Sequence, residues 1–187
     1  IDLKSFIISG MPASGKTTVA IKVAEKYGVN YLCGGDILKE MAVSKGYQPS
    51  GDDWWDTENG MKFLEERKKS NQFDRKVDEI LVNSIGEGGV VVTSYTAPWL
   101  STKGVKIWLK ASPNSRSKRL ATRDKIAYKE AEKIVKKRDF ENINIYRKMY
   151  DFKIDEDLSV FHLVLDTNSL SKNQVIEIVL KSSQYFI

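Results

Sequence analysis

Gly10-Met11-Pro12-Ala13-Ser14-Gly15-Lys16-Thr17 fits the phosphate-binding loop pattern G-x-x-x-x-G-K-[ST] at every fixed position. An apolar run at residues 6–9 precedes this loop and predicts a buried parallel strand. Residues 17–27 follow with apolar side chains at helical spacing, and Gly28 is typical of a helix end. Strand, glycine loop and helix in this order direct backbone N–H groups and the helix N-terminus at phosphate oxygens.

The phosphate-binding loop, residues 10–17, therefore predicts a polyphosphate site, against the alternative of a glycine-rich turn that binds nothing. We expect Lys16 to reach the β- and γ-phosphates of a nucleotide and the Thr17 hydroxyl to bind Mg²⁺. The predicted nucleotide-binding residues are Gly10, Met11, Pro12, Ala13, Ser14, Gly15, Lys16, Thr17 and Thr18.

Composition predicts one globular domain. The 187 residues are 41% hydrophobic and 29% charged, and no apolar run is long enough to span a membrane. The chain enters its first strand almost at once, so we expect no signal peptide. The single cysteine, Cys33, excludes an internal disulfide and suits a cytoplasmic protein. One cysteine and one histidine, His162 in an apolar strand-like run, do not make a zinc site.

The formal net charge of +5 is compatible with two kinds of partner, a nucleic acid or a small anionic molecule. The basic residues are mixed with Asp and Glu along predicted helices and form no long block. This distribution favours a small anionic substrate over nucleic acid.

Short apolar runs alternate with helical patterns along the chain. The predicted strands are residues 6–9, 29–33, 90–93, 105–110 and 161–165, and helices lie between them. This alternation predicts an α/β fold with a parallel sheet wrapped by helices. In such a sheet the ligand crevice lies at the carboxyl ends of the strands.

Several polar and aromatic residues follow these strand ends or lie in the helices after them. Asp36 and Lys39 are one helical turn apart and can face the crevice together, although Asp36 can equally cap its helix. Trp54 and Trp55 lie in a polar loop, where they either cover an acceptor or anchor the loop on the core. The other candidates are Arg75 and Asp78 at the start of a helix and Tyr95 at a strand exit.

An arginine stripe lies on the helix that Ser112-Pro113 begins. Arg116, Arg119 and Arg123 are spaced by three and four, so they share one helical face. This pattern is typical of a lid over polyphosphate, with a solvent-exposed face as the alternative. Arg138 lies farther on, in a long helical stretch at residues 127–150.

In the order of these motifs the chain resembles the nucleoside-monophosphate kinases, and among them the archaeal cytidylate kinase-like branch. The resemblance covers nearly the whole chain and rests on residues 10–17, 35–40, 74–78, 106–111, Arg119, Arg123, and the tail from Tyr150 through 157–159 to 166–167. It implies ATP and Mg²⁺, a five-stranded parallel sheet, and one domain over residues 1–187. It also implies a helical acceptor-binding insert at residues 36–86 and a mobile lid at residues 116–145.

The chain departs from this family on the acceptor side. Thr93-Ser94-Tyr95 stands where the family has an acidic residue, glycine and arginine, and Ile145 and Lys39 each replace an arginine. The branch is thought to include a kinase of mevalonate 3-phosphate, which phosphorylates the 5-hydroxyl of that isoprenoid precursor. The departures favour this acceptor slightly, with CMP or dCMP as the alternative. A nucleotide-binding regulator or an RNA-linked ATPase is a second alternative.

An alcohol acceptor must lose a proton, so the hypothesis of such an acceptor predicts a carboxylate base near it. Asp36 is the first candidate for this base and Asp78 is the second. We expect Arg119 and Arg123 to stabilise transition-state charge together with Lys16. Lys39 and Arg75 are assigned to the anionic groups of the acceptor. The full set of predicted acceptor-binding residues is Asp36, Lys39, Trp54, Trp55, Arg75, Asp78, Tyr95 and Arg138.

Overall fold

The computed structural model describes residues 4–49 and 54–186. Within these residues, five parallel strands form one sheet in the order β2-β3-β1-β4-β5. The strands are β1 (Phe6–Ser9), β2 (Asn30–Cys33), β3 (Val90–Thr93), β4 (Val105–Lys110) and β5 (Leu163–Asp166). The predicted α/β fold with a parallel sheet is confirmed.

Helices join successive strands and cover both faces of the sheet. They are α1 (Lys16–Tyr27), α2 (Gly34–Ser44), α3 (Glu58–Lys69), α4 (Gln72–Glu87), α5 (Ala97–Leu100), α6 (Pro113–Asp124), α7 (Tyr128–Tyr150) and α8 (Lys172–Ser183), with 3-10 turns at Trp54–Asp56 and Gln184–Phe186. In the two stretches that the structure describes, no helix combines the length and apolar character needed to cross a membrane.

Strand β1 is buried on both faces, as its uninterrupted apolar sequence predicts. Ile8 packs in the core layer that α1 and α8 form, with Val23 and Val179. Ile7 points to the opposite layer and packs with residues of α2 and α4, among them Leu81. Burial on both sides holds the phosphate-binding loop, which follows β1, at a fixed position.

The strand register brings the site residues to one edge of the sheet. Cys33 at the end of β2 pairs with Thr93 at the end of β3, and Ile8 of β1 also pairs with Thr93. The phosphate-binding loop, the start of α2 and residues 94–96 therefore leave the sheet at the same edge.

Helix α2 begins at Gly34, three residues earlier than the sequence pattern predicts, and Cys33 is its N-cap residue. Asp36 consequently lies in the first turn of α2 rather than at the cap position. Its carboxylate is still favourably placed near a helix N-terminus.

The long helix α7 explains one departure from the family pattern. Ile145 is buried in an apolar cluster with Met11, Leu64 and Trp108. An arginine at position 145 would have to bury its charge in this cluster, which is costly without a partner.

Candidate active site

The phosphate-binding loop has the backbone geometry that its glycines allow. Gly15 has a φ of 97° immediately before α1, a conformation that favours glycine. A side chain at Gly10 would bring its Cβ within 2.5 Å of the main-chain oxygen of Leu109 on β4. The Ser14 hydroxyl is buried and, among the described residues, has no hydrogen-bond partner. This loop therefore fits a polyphosphate, whose oxygens would pair with such unpartnered groups.

Lys16 lies across the inside of this loop. Its Nζ atom donates hydrogen bonds to the main-chain oxygens of Gly10, at 2.8 Å, and Met11, at 3.0 Å. The same ammonium lies 4.7 Å from the centre of the Tyr95 ring. Burial, and next the positive charge of Arg138, lower the pKa of Lys16 to about 7. An anionic ligand would favour the charged form of this amine.

The loop opens into a cavity of about 650 Å³. The cavity extends from the start of α1 to side chains of α2, α3, α4 and α7. Of the predicted site residues, those that line it are Pro12, Ala13, Ser14, Gly15, Lys16, Thr17, Thr18, Asp36, Lys39, Trp55, Asp78, Tyr95, Arg119, Arg123 and Arg138. Donor and acceptor candidates thus share one space, which a phosphoryl transfer requires.

Two predicted acceptor residues, Trp54 and Arg75, are not among the residues that line the cavity. Trp54 is 2% exposed and packs in the core beside Tyr47 and Phe63, because its 3-10 turn directs it inward. Arg75 is exposed on α4, where its guanidinium lies 5.6 Å from the Tyr150 ring. Neither side chain therefore lines the cavity, and their assignment to the acceptor stays a prediction, whereas Trp55 does line the cavity.

Asp36, the first candidate for a base, is largely exposed, with 61% of its side chain accessible. Its carboxylate lies 3.5 Å from the Lys39 ammonium one turn later, and both side chains line the cavity. Asp36 is therefore the exposed partner of an ion pair at the cavity rim.

The arginines of α6 do not form one continuous surface, because their side chains contact different parts of the protein. Arg116 is 2% exposed and donates to both carboxylate oxygens of Asp139, at 2.8 and 2.5 Å. Arg119 donates to the Thr167 hydroxyl at 3.0 Å and to the Ser14 main-chain oxygen at 3.4 Å. Helical spacing placed these arginines on one side of α6, but Arg116 and Arg119 have side-chain partners on other elements, whereas Arg123 also pairs with Asp124 on α6 itself.

Asp56, which the sequence analysis did not single out, contacts two arginines that line the cavity. Its carboxylate accepts hydrogen bonds from Arg138, at 2.5 Å, and from Arg123. Only 4% of the Asp56 side chain is exposed. The 3-10 turn that ends at Asp56 therefore connects to both α6 and α7. The sequence feature that could have identified Asp56 is its position directly after two tryptophans in a loop.

A buried group on α3, α4 and α7 was missed as well. Arg67 donates to both oxygens of Asp74, at 3.0 and 2.5 Å, and Tyr146 donates to Asp74 at 3.0 Å. The Trp55 ring lies 6.0 Å from the Arg67 guanidinium. All of these residues line the cavity. The sequence periodicity of α3 does not predict that Arg67 is buried, because its burial depends on how α3 packs against α7.

Asp78 lies one turn after Asp74 and also lines the cavity. Thr96 donates a hydrogen bond to its Oδ1 atom, and the Tyr150 hydroxyl donates to Oδ2 at 2.6 Å. Burial raises the pKa of this carboxyl to about 6, although the two hydroxyls act in the opposite direction.

The metal-binding capacity of the site is small. Within residues 4–49 and 54–186, no group of three or more His, Cys, Asp or Glu residues could hold a metal ion. A divalent cation at this site would depend on the Thr17 hydroxyl, on ligand phosphates and on water. This donor set is typical of Mg²⁺ bound with a nucleotide.

Comparison with known proteins identifies the relatives of this chain. The model of the cytidylate kinase-like family matches residues 7–169. The cytidylate kinase of Pyrobaculum islandicum is 34% identical over 175 residues, which cover 92% of this chain and 89% of that protein. The cytidylate kinase of Methanocaldococcus jannaschii is 32% identical, with 92% and 93% coverage.

Solved structures agree on the fold. Shikimate kinase from Acinetobacter baumannii aligns with a TM-score of 0.58 at 16% identity, covering 98% of this chain and 94% of that chain. An uncharacterized protein from Eubacterium ventriosum aligns with a TM-score of 0.61 at 17% identity, covering 97% and 98%. These likenesses show that the chain shares the fold of these proteins.

The preference for mevalonate 3-phosphate as the acceptor is wrong. The curated relatives are named cytidylate kinase, and they match nearly the whole chain. The preference rested on missing acceptor-side arginines, but the structure brings Arg67 from α3 to the cavity. The cavity is therefore lined by a guanidinium, paired with Asp74, that position-by-position comparison with the family motifs did not identify.

Proposed function

Because the chain belongs to the cytidylate kinase-like family, we propose that it is a cytidylate kinase, which transfers the γ-phosphoryl group of ATP to CMP or dCMP. As a kinase it is an ATP-dependent phosphotransferase, and the proposal concerns its acceptor, its cofactors and the roles of its residues. We assign residues 36–86 to acceptor binding and residues 116–145 to a lid within one domain. The expected setting is the cytoplasm.

One observation carries the proposal: the phosphate-binding loop with Lys16 opens into the same cavity as the polar side chains of α2, α3, α4 and α7. The volume of this cavity is about 650 Å³. Its aromatic lining residues, Trp55, Tyr95 and Tyr146, offer flat surfaces to a base.

The roles of the residues follow from charge. Lys16 and the loop N–H groups hold the β- and γ-phosphates, and Arg119 and Arg123 stabilise the charge that develops on the transferred group. Mg²⁺, with Thr17 as its protein ligand, would neutralise charge between the β- and γ-phosphates. Lys39 and Arg138 face the acceptor phosphate.

A phosphate acceptor changes what the carboxylates must do. The phosphate oxygen of CMP is already an anion near neutral pH, so it attacks without a general base. Asp36 and Asp78 are then free to bind and select the acceptor instead of removing a proton. This removes the need to place a base at the exposed Asp36.

The test is ADP formation from Mg-ATP with CMP, dCMP, UMP or mevalonate 3-phosphate as the acceptor. We expect CMP and dCMP to be phosphorylated and Lys16→Ala to lower kcat at least about a hundredfold. Lys22→Ala, on the solvent side of α1, is the matched control and should retain activity. No CMP turnover, or full activity in Lys16→Ala, would contradict the proposal.

A further inference from the structure

We propose that Asp78 selects the base of the acceptor by accepting a hydrogen bond from the exocyclic 4-amino group of cytosine. Uracil has an oxygen at that position, so Asp78 would discriminate against UMP. This inference rests on the proposed function and names the residue that reads the base.

The first step is the position of Asp78. It lies on α4, within the part of the chain assigned to the acceptor, and its side chain lines the cavity although only 6% of the residue is exposed. Trp55 and Tyr146 line the same cavity. A base that stacks on either ring would present its edge to neighbouring polar groups.

The second step is the difference between the partners of two buried carboxylates, Asp74 and Asp78. Asp74 is neutralised by the Arg67 guanidinium and also accepts from the Tyr146 hydroxyl. Asp78 is held by hydroxyls of Thr96 and Tyr150, and no lysine or arginine in the described part of the chain forms an ion pair with it. A buried carboxylate without a cation is costly unless further donors reach it.

The third step is hydrogen-bonding capacity. Each oxygen of Asp78 accepts one bond from the protein and retains a second lone pair. The group is therefore suited to a ligand that donates. The 4-amino group of cytosine is such a donor, and carboxylates accept from this group in nucleic-acid recognition. The oxygen of uracil would face another acceptor and repel it.

The test compares CMP with UMP on one enzyme preparation, so the ratio of their kcat/KM values does not depend on the folded fraction. Asp78→Asn introduces an amide that can donate to the uracil oxygen. We expect the CMP/UMP ratio to fall at least about 30-fold at pH 7.5, with part of the change a gain for UMP. Glu79→Gln, the same change of charge on the exposed side of α4, should leave the ratio unchanged.

A second measurement needs no variant. The monophosphate of the cytidine analogue that lacks the 4-amino group removes the donor without adding an acceptor. We expect the wild-type kcat/KM for this analogue to be at least about tenfold lower than for CMP. If the wild type turns over CMP but neither the analogue nor Asp78→Asn changes selectivity, the inference about Asp78 is wrong. If the wild type does not turn over CMP, the proposed function is wrong as well.

Discussion

The Arg116 guanidinium on α6 donates a hydrogen bond of 3.1 Å to the main-chain oxygen of Pro12 in the phosphate-binding loop. The same buried side chain forms a bidentate pair with Asp139 on α7. One arginine therefore connects the loop with both helices of the proposed lid.

Replacement of Arg116 tests this connection. Arg116→Met leaves Asp139 and the Pro12 oxygen without their donor, so we expect the free energy of unfolding to fall by about 3 kcal/mol and ATP affinity to fall as well. Urea denaturation and calorimetric titration with ATP measure the two effects. Arg147→Met, on the exposed part of α7, is the matched control, with an expected loss within about 1 kcal/mol. Equal losses in both variants would argue against a special role for Arg116.

Asp56 competes with ligand phosphates for arginines. Asp56→Asn removes the negative charge that pairs with Arg123 and Arg138, so these guanidinium groups become available to an anion. We expect the dissociation constant for ATP to fall about fivefold while the free energy of unfolding of the unliganded protein decreases. Glu58→Gln, on the exposed side of α3, should change neither quantity. Weaker ATP binding by Asp56→Asn would mean that Asp56 orders the arginines for the ligand instead.

Proton uptake on ATP binding reports on Lys16. With a pKa of about 7, this amine is largely neutral at pH 8 in the unliganded protein. The triphosphate stabilises the ammonium and raises its pKa, so binding at pH 8 should take up about one proton. Calorimetry in buffers of different ionisation enthalpy measures this number. Lys16→Met should lose the uptake and Lys22→Met should keep it. Absence of uptake by the wild type would contradict this pKa.

Asp78 predicts a specific dependence of stability on pH. Its pKa is raised from 3.8 to about 6 in the folded protein, so its contribution is most favourable below pH 3.8 and is lost as pH rises through 6. Such a rise corresponds to about 3 kcal/mol. Asp78→Asn does not titrate, so the free energy of unfolding of the variant should rise relative to that of the wild type by most of this amount between pH 4 and 7.

The surroundings of Asp78 determine the control for that experiment. The charged and titratable groups that face it are Arg67 from α3, Asp74 from α4, and Tyr146 and Tyr150 from α7. They are present in both proteins, so most of their own titration cancels in the difference. For Glu79→Gln the difference from wild type should stay nearly flat over the same range. A flat difference for Asp78→Asn would mean that its carboxyl is not perturbed by burial.

Local patterns were sufficient for the framework and for the conformation of the phosphate-binding loop. The phosphate-binding loop is contiguous in sequence, so its residues and their environment could be predicted together. The strands were predictable because burial on both faces requires continuous apolar runs. The start of α2 was missed by three residues, since Gly34 and Gly35 are poor helix formers that tertiary packing nevertheless keeps helical.

Partners distant in sequence could not be predicted. Spacing placed Arg116, Arg119 and Arg123 on one face of α6, but it contains no information about Asp139, Thr167 or Asp56. The lining of the cavity beyond the phosphate-binding loop depends even more on packing, since Arg67 reaches the cavity through the arrangement of α3 and α7. The error in the preferred acceptor arose here, where the sequence analysis counted missing arginines without knowing which others the fold brings in.

The strand order also bears on how this protein family could diversify. Helices α2, α3 and α4 connect β2 to β3 on one side of the central strand β1, whereas α6 and α7 connect β4 to β5 on the other. The strand and loop proposed to hold the donor precede both stretches in the sequence. Mutations in one stretch can therefore alter the choice of acceptor while the inherited donor site stays intact, which gives successive duplicates a short route to new substrates.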